Sequence, residues 1–424
     1  GSRGAHSAMK VLLVLACLVL AAVATPARPK THLGSKVLRV VPETKDQLQH
    51  LQQLLLQGHY DFWKEPRALG SPVDIMGTVS RLPELIASLT NHGLRATVQI
   101  PDVGKVMESQ ARERMQRGST RMDWADYHDY DVINAWMASL VTDYPDLCTL
   151  EAVGTSYEGR VMNLLTLGSG GADKPGIFID GGIHAREWIS PATVTYMVNE
   201  LVTDSAFSDL LANVNFYVMP TINPDGYAYT FSDDRFWRKT RSETDSAFGC
   251  KGADPNRNWD FHWNEVGASS NPCSETYAGP HPFSEVEMRV VRDEITRLGS
   301  KIKVYLTFHS YSQLWMYPWG FTTDLPSDWQ DLDDLAQNAV SALTSVHGTT
   351  YEIGSSTNTI YAAAGGSDDW AKGVSGVKYA YTVELRDQGN YGFLLPSNQI
   401  IPTGEETFEA LKVVANFVKD TYSK

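Results

Sequence analysis

The chain has 424 residues, 42% of them hydrophobic and 10% aromatic, which is enough apolar material for buried cores and excludes a disordered chain. A formal net charge of −14 excludes a basic nucleic-acid-binding face, because phosphate recognition needs clustered lysine and arginine. Length alone predicts two or three domains at roughly 150 residues each, and 4 cysteines without a CxxC spacing are too few for a disulfide scaffold.

Residues 1–8 (GSRGAHSA) precede Met9 and read as an appended remnant. Lys10, the apolar run 11–24 and the Ala22-Val23-Ala24 triplet have the order of a secretory signal peptide, so 9–24 is expected to be removed and the rest secreted. The apolar run is too short to span a bilayer. No later stretch reads as a membrane helix, so no membrane association is expected after signal removal.

Residues 36–115 read as a small separate unit. KVLRVVP predicts a strand, DQLQHLQQLLLQG an amphipathic helix ended by Gly58, and VDIMGTV a strand. Ser80 is expected to cap a helix through LPELIASLTNHG, and LRATVQI predicts a further strand. A short strand near YDFWKE completes β-α-β-β-α-β, the ferredoxin-like order. QARERMQRGSTR follows, with Arg112, Arg114, Arg117 and Arg121 around Gly118. It reads as an exposed linker open to a trypsin-like protease.

From about residue 122 onward, strands and helices alternate. GIFIDGG predicts a buried strand, and Ser190-Pro191 a cap and first turn for PATVTYMVNELV. NVNFYVMP, KIKVYLTFHS and VKYAYTVEL predict strands; WQDLDDLAQNAVSALTSVHG and EETFEALKVVANFVKD predict helices. This pattern argues a largely parallel twisted sheet in an α/β/α sandwich, with ligands beyond the carboxyl ends of the strands.

Chemistry concentrates at two strand ends. His184 and Glu187 follow Gly181-Gly182, three residues apart, and His309 closes KVYLTFHS. An HxxE pair alone is weak, and a single histidine is more often structural. Together the three make a His₂Glu set with one position open for water, the arrangement of catalytic zinc. Glu384 ends VKYAYTVEL, where a carboxylate either pairs with Arg386 or serves as the general base. Arg238 is a candidate oxyanion donor, and Asn256-Arg257 a candidate carboxylate clamp, since a guanidinium matches a carboxylate bidentately.

With HAREWISPAT, DPNRNWD, HSYSQLWMYPWG, TIYAAAGGSDDW and ELRDQGNYGFLLP, the chain resembles the pancreatic-type zinc metallocarboxypeptidase zymogens, the A/B subfamily, over nearly all of Met9 to Lys424. The resemblance implies one Zn²⁺ held by His184, Glu187 and His309, with Glu384 as general base and Arg238 polarising the scissile carbonyl. It implies that Asn256 and Arg257 bind the substrate's terminal carboxylate and that Tyr361 closes over it. Arg186, Ser310, Tyr311 and Phe393 would line the upstream subsites. It further implies an inhibitory prodomain with its activation segment at 25–117, a catalytic domain at 118–424 and a trypsin-like activating protease. A Cys250–Cys273 disulfide is implied too, while Cys148 reads as a small buried residue and Cys17 leaves with the signal peptide. A monomer acting on peptide or protein C-termini is expected, and family analogy implies the digestive lumen as its setting.

The resemblance places Asp368 at the specificity position, where A-type enzymes carry an apolar residue and B-type enzymes an aspartate. A buried carboxylate there favours release of C-terminal Lys or Arg, and small, polar Ser356 suits a long cationic side chain. Met316 and Gly320 are less B-like, so A-type release of aromatic or aliphatic residues stays open, as does a turned-away Asp368 with Asp369 nearby. A non-catalytic zinc-containing peptide-binding module is a further alternative, against which Glu384 speaks. The sequence has no GxSxG elbow and no HExxH motif. It ends one helix after YGFLLP, unlike regulatory carboxypeptidases with an added β-domain.

Overall fold

The structure, a computed structural model, describes residues 29–423. The expected remnant at 1–8 and signal peptide at 9–24 lie outside the described residues. Among those described, no helix is long and apolar enough to cross a membrane.

The N-terminal unit follows the expected order: β1 (Lys36–Val40), α1 (Lys45–Gln57), β2 (Asp61–Lys64), β3 (Val73–Gly77), α2 (Leu82–Asn91) and β4 (Thr97–Ile100). Its antiparallel sheet has the order β2-β3-β1-β4. A capping box starts α1: Thr44 accepts from the Gln47 N–H, and the Gln47 side chain accepts from the Thr44 N–H. Leu38, Val40, Leu51, Leu54, Ile75, Leu85 and Leu89 form a core between sheet and helices. Each such side chain stabilises by roughly 1.5–3 kcal/mol when buried.

The linker reading needs correction. A third helix, α3 (Val103–Arg117), capped by Asp102 and ended by Gly118 at φ 58°, carries Arg112, Arg114 and Arg117. Residues 118–129 then run without regular structure up to the helix Tyr130–Asp143 of the larger unit. The run QARERMQR is charged on most sides, which reads as linker, but i,i+4 pairs Glu108–Arg112 and Glu113–Arg117 support it as helix.

The larger unit is built on eight further strands: β5 (Cys148–Thr155), β6 (Val161–Leu167), β7 (Gly176–Gly181), β8 (Asn215–Met219), β9 (Ile302–Ser310), β10 (Leu314–Tyr317), β11 (Glu352–Ser355) and β12 (Tyr379–Leu385). Their order is β11-β10-β12-β9-β7-β8-β6-β5. The four central strands β12, β9, β7 and β8 run parallel. The antiparallel β5–β6 hairpin and the β10–β11 pair flank them. One face packs on the helices Tyr130–Asp143, Ile189–Thr203, Trp329–His347 and Ile400–Tyr422. The other packs on Val286–Leu298 and Ser367–Gly373, so both faces are covered. This is the α/β/α sandwich, and central strands buried on both sides read as continuous apolar runs.

Two expected helix caps fail. Ser80 lies outside α2, whose N-cap is Arg81, and its hydroxyl meets that of Thr78. Ser190 lies inside the helix Ile189–Thr203; its Oγ accepts from the Gly182 N–H at 2.9 Å and donates to the Phe308 carbonyl at 2.6 Å. A tertiary role has displaced the local one, and Ser190 ties together the two strand ends that carry the site. The Cys250–Cys273 bond is present, closing a 23-residue separation. Cys148 is free and buried on β5, and burial pushes its thiol up to about 11.

Candidate active site and metal centre

β7 and β9 are neighbours, so their carboxyl ends bring His184 and His309 together. Gly182 allows the turn after β7: its φ is 61°, and a Cβ there would lie 3.0 Å from Pro191. His184 Nδ1 stands 2.8 Å from Glu187 Oε1, and His309 Nδ1 stands 3.3 Å from Glu187 Oε2. The two Nδ1 atoms are 3.2 Å apart. The ligand atoms of all three residues lie within 4.8 Å of one another, and all three are buried. Two imidazoles and one carboxylate converging in this way suit a zinc ion, with one position left open.

The surroundings orient this set. His184 Nε2 faces Asp254 Oδ1 at 3.2 Å, which directs Nδ1 to the centre. Asp254 Oδ2 accepts from Arg238 Nη2 at 2.9 Å, and Arg238 Nη1 is 4.0 Å from Glu187. The Ser310 backbone N–H donates to Glu187 Oε2 at 3.1 Å. Burial opposes ionisation of Glu187, but the adjacent histidines outweigh it and hold the carboxyl well below its ordinary range. Burial also lowers His184, with Arg238 adding to the effect. For Asp254 burial is likewise overcome, by Arg238 and Arg257.

Glu384 is the strand partner of His309. It does not pair with Arg386, whose guanidinium bonds Glu406, Gln399 and Thr349. Glu384 Oε2 is buried without a hydrogen-bond partner. Burial pushes its carboxyl up to about 8, with His309 opposing and Glu187 reinforcing the shift.

Other predicted residues fall around the centre. A cavity of about 660 Å³ is lined by His184, Glu187, Arg238, Tyr361 and Glu384. Arg186, Ser310, Tyr311 and Phe393 also line it. Arg257 and Asn256 are not on its wall. Arg257 sits 5.9 Å from the Tyr361 ring, with Nη2 buried and unpartnered. Asn256 Oδ1 accepts from the Ser367 N–H at 3.0 Å, beside Asp368. Asp368 is buried with Oδ2 3.4 Å from the Ser356 hydroxyl, whereas Asp369 accepts from the Gly320 and Phe321 N–H groups. Burial raises the Asp368 carboxyl above its ordinary range, with the Asp369 N–H and the Thr382 hydroxyl opposing the shift.

The N-terminal unit forms the other wall of the cavity. Phe62, Trp63, Lys64 and Glu65, at or just after β2, line it opposite the donor set. Asp61 accepts from Arg186 Nη1 at 2.7 Å, and Tyr311 donates to Asp74 at 2.9 Å. Arg39 pairs with Asp74 and reaches the carbonyls of Gln388 and Gly389. Trp63 packs on Phe236 and Phe393. The activation-region arginines differ in setting. Arg114 lies 5.4 Å from the Trp188 and Phe231 rings, and Arg117 binds the Ala125 carbonyl and Ser397 while lying 3.3 Å from Asp126. Arg121 is exposed in the unstructured segment.

Sequence reasoning missed Asp254, Asp61 and Glu65. Asp254 carried a signal: it heads DPNRNWD, the same short run that holds Asn256 and Arg257. Nothing local marked Asp61 or Glu65, whose meaning depends on docking.

A family model described as zinc carboxypeptidase matches residues 133–410, and one described as carboxypeptidase activation peptide matches 38–110. Carboxypeptidase B of Astacus astacus is 80% identical over 303 residues, covering 71% of this chain and 100% of that protein. Human carboxypeptidase B is 42% identical over 416 residues, covering 96% of this chain and 99% of its own. Mouse carboxypeptidase A2 is also 42% identical, over 403 residues, covering 92% and 95%. Among solved structures, thrombin activatable fibrinolysis inhibitor superposes with a TM-score of 0.83 at 34% identity, covering 91% of this chain and 99% of that one.

Proposed function

Since the chain belongs to the zinc carboxypeptidase family and carries that family's activation peptide, we propose that it is a secreted zymogen. Cut by a trypsin-like protease at Arg114, Arg117 or Arg121, it would remove C-terminal Lys or Arg from peptides. The observation that carries this reading is the buried His184–Glu187–His309 donor set with the unpartnered Oε2 of Glu384 on the adjoining strand.

When bound there, zinc supplies Lewis-acid activation of a water molecule and of the scissile carbonyl. Arg257 holds the substrate's terminal carboxylate through its free Nη2, with Asn256 beside it and Tyr361 closing over both. Arg238, fixed by Asp254, donates to the carbonyl oxygen as negative charge develops on it. Glu384 takes the proton of the attacking water on Oε2 and returns it to the leaving amine. A carboxyl near neutrality suits a group that does both. Arg186, Ser310, Tyr311 and Phe393 position the residues upstream of the cut.

Asp368 supports basic specificity. A substrate guanidinium or ammonium would pair with a buried carboxylate whose neighbours are neutral hydroxyls and a backbone N–H, with no cationic side chain paired to it. The A-type alternative keeps two positions in its favour, Met316 and Gly320, which are less like those of a B-type pocket. In the uncut chain the β2 segment occupies the substrate's approach, which supports inhibition by the chain's own N-terminal unit. Boundaries of 25–117 for that unit with its activation segment and 118–424 for the enzyme fit this reading.

The test is to incubate trypsin-treated protein with peptides differing only in a final Arg, Lys, Phe or Leu, with and without a chelator, and to read masses. Chelator-sensitive loss of Arg and Lys is expected. Preferential loss of Phe or Leu refutes the basic preference, and chelator-resistant activity refutes the zinc site.

A further inference from the structure

Tyr305, Thr307 and His309 occupy alternate positions of β9 and are all buried. Alternate residues of a strand share a face. The other face presents Val304, Leu306 and Phe308 to the larger core. A buried hydroxyl left unpaired forfeits about 1–3 kcal/mol, so a polar stripe in a central strand requires partners.

The parallel register supplies one. Asp180 of β7 lies opposite Thr307, completely buried. Its Oδ2 accepts from the Tyr305 hydroxyl at 2.6 Å, and its Oδ1 accepts from the Thr307 hydroxyl at 2.6 Å. A threonine hydroxyl has one proton. With that proton given to Asp180, the oxygen can only accept from its other neighbour, His309 Nε2, at 3.4 Å. Nε2 therefore carries the ring proton. Nδ1 keeps its lone pair, and Nδ1 is the atom that faces His184 and Glu187. On the other histidine the same task falls to Asp254 directly. The two imidazoles are thus oriented differently, one by a carboxylate and one through an intervening hydroxyl.

We propose that Thr307 and Asp180 are positioning residues of the metal centre: Thr307 holds His309 in the Nε2-protonated tautomer, and Asp180 holds the Thr307 hydroxyl, so that together they set the affinity for zinc. This rests on the zinc-site reading above. Neither residue touches substrate.

The test measures zinc affinity of the full uncut chain by competition with a chromogenic chelator, with a thermal midpoint for each variant. Thr307→Val keeps the shape and removes the relay; zinc binding is expected to weaken 10–100-fold. Thr307→Ser restores donor and acceptor and is expected within about threefold of the unaltered chain. Tyr305→Phe leaves the relay intact and is expected to behave likewise. Unchanged affinity in folded Thr307→Val overturns the proposal, and so does a Thr307→Ser as weak as Thr307→Val. If Thr307→Val does not fold, Asp180→Asn takes its place, with a loss under about threefold overturning the proposal. Failure of the unaltered chain to bind zinc refutes the zinc site itself, a separate result.

Discussion

The small and large sheets bury their faces against different things. In the small sheet, one face packs on α1 and α2 through Leu38, Val40 and Ile75. The other meets the enzyme unit through Val37, Trp63 and Met76, interleaved with Arg39 and Asp74. The large sheet is covered on both faces by its own helices. Its polar groups gather at strand ends and along the β9 stripe. An inhibitor must leave, so its second face mixes apolar contact with ion pairs and hydrogen bonds that water can replace. A catalytic scaffold must not shift, and its apolar layers are permanent.

The largest expected effect isolates the enzyme side. Glu384→Gln in the trypsin-activated protein should lower kcat by about 10²–10⁴-fold while the thermal midpoint stays close to the original. Steady-state kinetics beside calorimetry check this, and a loss below tenfold would remove Glu384 from its role. Next, the small core should be the weaker of the two. Ile75→Ala is expected to destabilise the N-terminal unit by about 2–5 kcal/mol, seen as an early separate transition in the uncut chain. A single unshifted transition would mean that the two units unfold as one.

pH should distinguish the units as well. Burial pushes Glu287, on the enzyme helix Val286–Leu298, up from 4.5 to about 7; Glu285 and Asp225 add to the shift, and the Tyr157 N–H opposes it. Below 4.5 both folded and unfolded states hold the proton. Between 4.5 and about 7 only the folded state keeps it, so stability falls as pH rises through that window and the loss is complete above it. Glu287→Gln removes this fall, a gain of up to about 3 kcal/mol near pH 8 and little near pH 4. Denaturant titration at both pH values checks it; equal gains at both would contradict the assignment. The smallest effect is at the docking face. Asp61→Asn weakens a charge-assisted bond to Arg186 worth about 1.5–3 kcal/mol, so activity should appear sooner after limited trypsin cleavage. An unchanged time course would show that Asp61 adds nothing to inhibition.

Much of the catalytic unit was readable because its chemistry is local to strand ends. HAREWIS follows one buried apolar run, His309 and Glu384 close two others, and parallel strands place their carboxyl ends together. The βαββαβ order of the small unit was readable from alternating periodicity and helix stops. Charged α3 was not, since its helical support comes from i,i+4 pairs that a linker composition hides. Ser190 was misread for the reverse reason: a good local cap was taken over by a contact with Phe308.

The amino-acid sequence by itself determined the small unit's strand and helix order, the central strands, the candidate zinc-type donor set, the candidate base and the arginine-rich segment, because each depends on residue type at short spacing. Only the tertiary structure decided which carboxylates serve which partners. Asp254 reaches His184, Glu406 rather than Glu384 takes Arg386, and Asp180 meets Thr307 across two strands. Arg39 meets the carbonyl of Gln388 at a separation of 349 residues. Those pairings follow from sheet register and from docking of one unit on the other, and no local spacing encodes them.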